Sequence, residues 1–368
     1  MRALAVLTPS TDSAWRRSPV YRAAMHGSTI PFAFVEQPDV DFSAADPVHA
    51  TSVLVRVEAF SCNYREKARF LHTARRVNDR GYVIIGSEFS GTVLKVGPAV
   101  GDLCPGDRVC GNGCIELDVA HAGLTSQRAS AQLQIFHCHK LFRLPEAMST
   151  VEGAAFSIGA QTAYSMVSRL NLATDTHVAV TAAASNTALF AIKALLARGH
   201  VVHALTTSAS IVPHLDRLGV RGVCQLPRDR DPGSTLRQYL EQQHINAFDA
   251  VIDPFHDVYL PKLLPLLRRF GLYITCGLYR QFPESPPDAF TEYGLAPYEI
   301  ASLLVRKSIS LIGNNLGTTA HLEQAASDFR SGCLTVDIDT VATGDAIETL
   351  IERTFGASDR IGKVVYRY

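Results

Sequence analysis

Between Thr176 and Gly199 the apolar positions change period. Val178, Val180 and Thr181 make a β-branched run suited to a strand buried on both faces, and Leu189, Ile192 and Leu196 then recur at helical spacing. Ser185 or Asn186 stands where a helix cap is wanted, and Gly199 closes the helix. The rhythm continues, with Val201–Leu205, Ala250–Asp253, Leu272–Gly277 and Ile309–Gly313 as further strand candidates separated by helical segments. It predicts a parallel sheet with right-handed crossovers. Earlier residues show another texture: short β-like runs (Ser52–Ala59, Val83–Ile85, Gly91–Val96, Arg108–Cys110) are punctuated by Gly, Pro and Asn. The closing Gly362–Tyr368 is again a strand and is expected to rejoin that region. The expected fold is therefore α/β, with a mostly-β domain over residues 1–155 and 318–368 and a doubly wound parallel-sheet domain over residues 156–317.

The strand, turn and helix at Thr176–Gly199 are built like the start of a dinucleotide-binding unit, whose helix N-terminus suits an anion. The turn nevertheless lacks the G-x-G-x-x-G spelling. Ala182, Ala184, Ser185 and Ala188 stand near the positions where glycines would permit a tight turn and close pyrophosphate approach. After the second strand, Thr206-Thr207-Ser208 offers hydroxyls and no carboxylate, so a ribose 2′-phosphate is tolerated and NADPH is the expected cofactor. A turn capping a helix from about Ile211 explains the same three residues, and Arg217 is the nearest basic side chain.

With 47% hydrophobic and 19% charged residues the chain of 368 reads as globular. Lys+Arg and Asp+Glu both number 35, so no global charge points to nucleic acid or a membrane surface. No run approaches the roughly 20 apolar residues that span a bilayer, and Ala3–Leu7 is too short for a secretory signal; a cytoplasmic location is expected. The eight cysteines have no disulfide-framework spacing. Cys104, Cys110 and Cys114, with His121, His137 and Cys138, are the one cluster that bears on structural zinc, and they lack paired C-x2-C spacing. The Pro-rich stretch Pro283–Pro297 reads as a connection, or else a lid.

Ordered blocks carry a resemblance. Val83-Ile-Ile-Gly-Ser-Glu-Phe-Ser-Gly91, Val96-Gly97 and Pro105-Gly-Asp-Arg-Val109 resemble the G-H-E-x-x-G, V-G and G-D-R-V blocks of the medium-chain dehydrogenase/reductase superfamily. Gly159-Ala-Gln-Thr-Ala-Tyr164, Val251-Ile-Asp-Pro254, Cys276-Gly-Leu278 and Gly362-Lys-Val-Val365 extend it in the family's order. The resemblance implies a GroES-like catalytic domain, a Rossmann domain and an active site between them. It also implies a homodimer paired through Ile309–Gly313. Alcohol dehydrogenases of this superfamily carry zinc ligands where this chain has Asn63, Ser87 and, nearby, Ile158, a set that cannot hold Zn2+. Asn63 there resembles the quinone reductase and enoyl reductase branches, which use NADPH without a metal. Ala184-Ser-Asn-Thr187 is similar to trans-acting enoyl reductases of fungal polyketide assembly, whose turn hydroxyls replace glycines.

Hydride transfer needs a donor on the substrate carbonyl and a proton source. Tyr64 is the first candidate for either, with Asn63 orienting substrate or ribose; packing is the alternative for Tyr64. By resemblance Thr162 lies beside the nicotinamide, and Gly277, Leu278, Asn314 and Asn315 line its carboxamide side. Ser185, Asn186 and Thr187 would hold phosphate oxygens. Glu66 is expected to hold its loop rather than do chemistry, and Cys62 to pack. The basic run Arg65, Lys67, Arg69, Arg75, Arg76 and Arg80 suits an anionic small-molecule or carrier-bound substrate, or is a solvated face. Two other functions stay open: a tailoring reductase of a dehydroamino acid or imine, and a non-catalytic scaffold whose nucleotide site has decayed.

Overall fold

The computed structural model describes residues 1–8, 19–25, 27–38, 40–76, 80–116, 121–227, 233–279 and 295–368. The Pro-rich stretch thus lies outside the described residues up to residue 294, and Pro297 opens a helix. Along the chain come β1 (Arg2–Leu7), β2 (Tyr21–Met25), β3 (Ser28–Glu36), β4 (Ser52–Ser61), α1 (Glu66–Ala74), β5 (Tyr82–Ile84) and β6 (Glu88–Val96). Then follow β7 (Arg108–Gly111), β8 (Leu133–His137), β9 (Leu141–Arg143) and α2 (Thr150–Leu170). The alternating stretch is β10 (His177–Val180), α3 (Asn186–Leu196), β11 (Val201–Thr206), α4 (Val212–Leu218), β12 (Gly222–Gln225), α5 (Gly233–Gln242), β13 (Phe248–Asp253) and α6 (His256–Leu263). It continues through β14 (Leu267–Thr275), α7 (Pro297–Lys307), β15 (Ser310–Gly313) and α8 (Thr319–Arg330), and the chain closes on β16 (Ile338–Ala342), α9 (Ile347–Phe355) and β17 (Lys363–Arg367).

Two compact units result, Met1–Ile158 with Val336–Tyr368, and Gly159–Thr335. In the first, a seven-stranded sheet runs β16-β17-β4-β6-β7-β9 with β8 also on β4, and a second sheet runs β2-β3-β1-β5. The returning strand was expected: β17 pairs antiparallel with β4, through Tyr366 opposite Phe60. Gly91 is obligatory here, because a Cβ would sit 2.1 Å from the Arg56 carbonyl oxygen.

In the second unit all six strands are parallel in the order β12-β11-β10-β13-β14-β15. Counted within the unit this is 3-2-1-4-5-6, the doubly wound order whose ligand crevice opens at the carboxyl ends of the strands. Val178, Ala179 and Val180 at its centre are wholly buried, as expected of a strand covered on both faces. Strand β12 was not anticipated; four residues beginning at Gly222 carry too little pattern.

The second boundary falls at 335/336, not 317/318. Helix α8 docks within the Rossmann-like unit: Tyr164 donates to Asp328 at 2.6 Å, Gln161 to the Thr318 carbonyl at 2.9 Å, and Lys193 to Thr335 at 2.9 Å. Among the described residues no helix is long and apolar enough to cross a membrane.

Candidate functional site

In the first unit a buried polar cluster forms around Glu88. It begins with the loop between β4 and α1: the Asn63 N–H donates to Glu66 Oε2 (2.7 Å), as does the Ser87 hydroxyl (2.6 Å), while Gly86 N–H donates to Glu66 Oε1 (2.9 Å). Glu66 therefore ties two loops together by three accepted hydrogen bonds, the role expected of it. Burial pushes its carboxyl above the ordinary range, against the opposing pull of those hydrogen bonds and of Lys363. Burial likewise pushes the Cys62 thiol well up, so it is an inert packing group.

The three positions where the resemblance places zinc ligands meet at Glu88. Asn63 Nδ2 donates to Ser87 Oγ (3.1 Å) and to Glu88 Oε2 (3.3 Å), and the Ile158 N–H donates to Glu88 Oε1 (2.8 Å). The fourth participant was missed by sequence reasoning. Lys363, at the start of β17, donates to Asn63 Oδ1 at 2.6 Å and to Glu88 Oε2 at 2.9 Å, with the two side chains 4% and 0% exposed. An ammonium thus occupies the oxygens beside the positions at which the resemblance implies zinc ligands. Amide, hydroxyl and ammonium do not fit Zn2+. The signal for Lys363 was a lysine inside a buried strand run, which needs a partner; nothing in the sequence said which. Tyr64 is half-buried on the same loop, with Lys67 Nζ 5.6 Å from its ring centroid.

Near Cys110 and Cys114 the histidine rings of His121 and His137 stack at 4.0 Å between centroids. Among the described residues no group of three or more His, Cys, Asp or Glu has metal-holding geometry. Cys104 is exposed and Cys110 and Cys114 are buried.

In the second unit the cofactor candidates other than Thr162 lie at or just after the carboxyl ends of strands. Ala182 to Thr187 follow β10; Thr206 ends β11, with Thr207 and Ser208 after it; Gly277 and Leu278 follow β14, and Asn314 and Asn315 follow β15. Thr162 is buried on α2, close in sequence to Gln161 and Ser165, which hold the Thr318 carbonyl and Asn314 Oδ1 (2.9 Å each). The sheet thus brings the candidates after β10, β11, β14 and β15 to one edge.

Their hydrogen bonds distinguish them. Ala182 adopts φ 48°, a left-handed conformation that glycine enters freely and alanine does not. Ser185 caps α3 by accepting from the Ala188 N–H at 3.3 Å, which uses a lone pair of its hydroxyl and leaves the O–H as a donor. Asn186 is buried against Gly159, where a Cβ would lie 2.7 Å from Asn186 Nδ2. Thr187, half-buried in the first turn of α3, has no side-chain hydrogen bond among the described residues, and first-turn N–H groups lack helical partners. Thr206 Oγ1 accepts from the Ser208 N–H (3.1 Å), and the Ser208 and Ser210 hydroxyls lie 2.8 Å apart. Asn314 Nδ2 donates to the Leu316 carbonyl (2.9 Å) while its Oδ1 accepts from Ser165 and Arg169, so it shapes the turn after β15; Asn315 is exposed. At Gly277 a Cβ would lie 2.9 Å from the Pro254 carbonyl oxygen.

Beneath the turn, Asp253 is wholly buried. It accepts from Thr181 Oγ1 (2.5 Å), from the Phe255 N–H (2.9 Å) and from the Tyr273 hydroxyl, and burial pushes its pKa up to about 6.

Residues 49–171 match the Alcohol dehydrogenase GroES-like domain. The chain is 26% identical over 267 residues to "Polyketide synthase GfsB" of Streptomyces halstedii and 28% identical over 248 residues to "Erythronolide synthase EryA2" of Saccharopolyspora erythraea. These matches take in 72% and 67% of this chain but only 4% and 6% of those long proteins. Among solved structures, a thermostable alcohol dehydrogenase from Pyrobaculum aerophilum is similar in fold (TM-score 0.73, 21% identity, 100% of both chains). So is the 2-octenoyl-CoA carboxylase reductase CinF in complex with NADP and 2-octenoyl-CoA (TM-score 0.69, 20% identity, 92% of this chain and 82% of that one).

Proposed function

We propose, for a chain that belongs to the medium-chain dehydrogenase/reductase superfamily, a zinc-independent reductase that uses NADPH to reduce the activated C=C bond of an enoyl substrate. One observation carries the choice of branch: Asn63, Ser87 and Ile158, which meet at Glu88, offer neither thiolate nor imidazole.

The non-acidic end of β11 and the hydroxyls of Thr206 and Ser208 favour NADP over NAD. Thr187 and the first turn of α3 would hold the pyrophosphate, while Gly277 and Thr162 would flank the nicotinamide, which supplies the hydride. Kinship with polyketide synthases supports an acyl thioester, free or carried on a protein, as the substrate. A homodimer through β15 is part of the proposal: it is an edge strand with Ser310, Leu311 and Gly313 exposed. Light scattering at the mass of a single chain refutes that part.

Fluorescence titration with NADPH and NADH is the first test, followed by loss of NADPH absorbance with α,β-unsaturated acyl thioesters. Tighter NADPH binding and turnover of the thioester are expected. A protein that binds neither nucleotide is not this enzyme.

A further inference from the structure

A carboxylate taken out of water is costly unless a cation or good hydrogen bonds compensate it. Asp253 ends β13 wholly buried, and every group that donates to it among the described residues is neutral: the Thr181 and Tyr273 hydroxyls and the Phe255 N–H. Apolar groups of the same shape in place of such a set are nearly neutral or stabilising, so stability alone gives no reason for keeping a charge here. The three donors come from three strand ends. Thr181 is the last residue before the left-handed Ala182, and its own N–H donates to the Ile252 carbonyl (3.1 Å). Phe255 lies just after β13, and Tyr273 lies on β14, which leads to Gly277. The segment after β13 also meets the loop after β14 through backbone: the His256 N–H donates to the Gly277 carbonyl (3.1 Å), and a Cβ at Gly277 would lie 2.9 Å from the Pro254 carbonyl oxygen. Asp253 therefore stands between the turn that would hold the pyrophosphate and the loop that would flank the nicotinamide. A strained φ persists only where its surroundings fix it. Ala182 is fixed on one side by the bond from Thr181 to Asp253, and on the other by the Ser185 N–H on the Ala182 carbonyl (2.8 Å) and the Ala183 N–H on the Leu205 carbonyl (3.1 Å).

We infer that Asp253 is a positioning residue for NADPH: by accepting from Thr181, Phe255 and Tyr273 it fixes the turn after β10 relative to the loop after β14, and so sets how the pyrophosphate and the nicotinamide are held together. This rests on the nucleotide site proposed above. Wholly buried, Asp253 acts through these neighbours rather than by contact with the cofactor. What the neighbours need from it is an acceptor oxygen. An amide that keeps that oxygen therefore serves in its place, and a hydrocarbon does not.

The experiment measures the affinities of wild type, Asp253→Leu, Thr181→Val and the double variant for NADPH and for adenosine 2′-monophosphate, which carries the adenine and the phosphorylated ribose but neither pyrophosphate nor nicotinamide. Each single variant should weaken NADPH about tenfold and leave adenosine 2′-monophosphate within about twofold, the scale expected of residues that act through others. Because the two side chains share one hydrogen bond, the double variant should also lose about tenfold, where independent effects would multiply to about a hundredfold. Asp253→Asn keeps the acceptor and Thr181→Ser the hydroxyl, so both should recover most of the affinity. Unchanged NADPH affinity in the single variants, equal losses on both nucleotides, multiplied losses in the double variant, or Asp253→Asn as weak as Asp253→Leu overturns the inference while leaving the nucleotide site standing. If Asp253→Leu does not fold, Thr181→Val against Thr181→Ser decides by the same comparison of nucleotides. A wild-type chain that binds neither nucleotide overturns the site and the inference together.

Discussion

The two units each lack residues that the resemblance implies, zinc ligands in one and turn glycines in the other, and they make up the loss by different physics. Around Glu88 the replacement is made of side chains: an amide, two hydroxyls, two carboxylates and an ammonium satisfy one another in a closed hydrogen-bonded set. At the turn after β10 it is made of backbone, because Ala182 simply adopts the conformation a glycine would have taken. A side-chain network is costly to break, since every member leaves a buried partner unmatched. A strained turn is cheap to change and can even be improved.

The largest effect should come from breaking the first kind. Replacing Glu88 by alanine strands the Lys363 ammonium in the interior, and removing one partner of a buried pair typically costs about 3–5 kcal/mol. Urea denaturation of Glu88→Ala should show that loss, with Glu88→Ala/Lys363→Met recovering part of it. A single variant within about 1 kcal/mol of wild type would mean the pair is far wetter than its burial implies.

The second unit offers a sharper comparison because two of its buried groups titrate in opposite senses. Burial, with the neighbouring His177 and Arg221, lowers the pKa of His203 to about 4, below its usual 6.5. His203 therefore contributes stability that is present above about 6.5 and is lost as pH falls toward 4, at most about 3 kcal/mol. Asp253 runs the other way. Its folded value of about 6 lies above the ordinary 3.8, so its contribution is present in full below 3.8 and lost as pH rises through 6, again about 3 kcal/mol at most. The contributions of these two groups should therefore nearly cancel between pH 4 and 6.5. Asp253→Asn should lose stability over that interval on acidification and His203→Phe should gain it. Parallel curves for all three proteins would remove both assignments.

What the sequence made legible follows the same divide. Backbone periodicity is local, so the parallel strands, the β-rich region, the capped helix at Ser185 and the returning β17 could all be read from spacing. Contacts between distant side chains are not local. Lys363 and Glu88 are 275 positions apart, and no pattern along the chain joins them. Tyr164 with Asp328 and Lys193 with Thr335 fix α8 to the second unit and are equally silent in the sequence, which is why that boundary fell elsewhere. The turn lies between the two cases. Absent glycines were visible, but whether they mattered depended on the φ of Ala182. Ser185, chosen for its hydroxyl, caps its own helix with a lone pair and keeps its O–H as a donor.

Ala182 supplies the smaller effect. A left-handed alanine costs about 1–2 kcal/mol relative to glycine, part of which the greater freedom of an unfolded glycine takes back. Ala182→Gly should therefore stabilise the protein by about 0.5–1 kcal/mol, seen as a higher urea midpoint at unchanged slope, and should not weaken NADPH binding. A loss of stability would mean that the alanine methyl makes contacts worth more than the strain it bears.

The smallest effect is electrostatic and lies outside both sites. Arg65, Arg75, Arg76 and Arg80 are exposed on and beside α1, and exposed charges separated by more than a Debye length of about 8 Å at physiological salt are largely screened. Long-range attraction acts on encounter, not on chemistry. If this face gathers an anionic substrate, raising salt should lower kcat/KM for a coenzyme A thioester a few-fold, leave its kcat alone and hardly touch a neutral thioester with the same acyl group. Equal responses of the two substrates would make the basic run a solvated surface and leave recognition to the acyl chain.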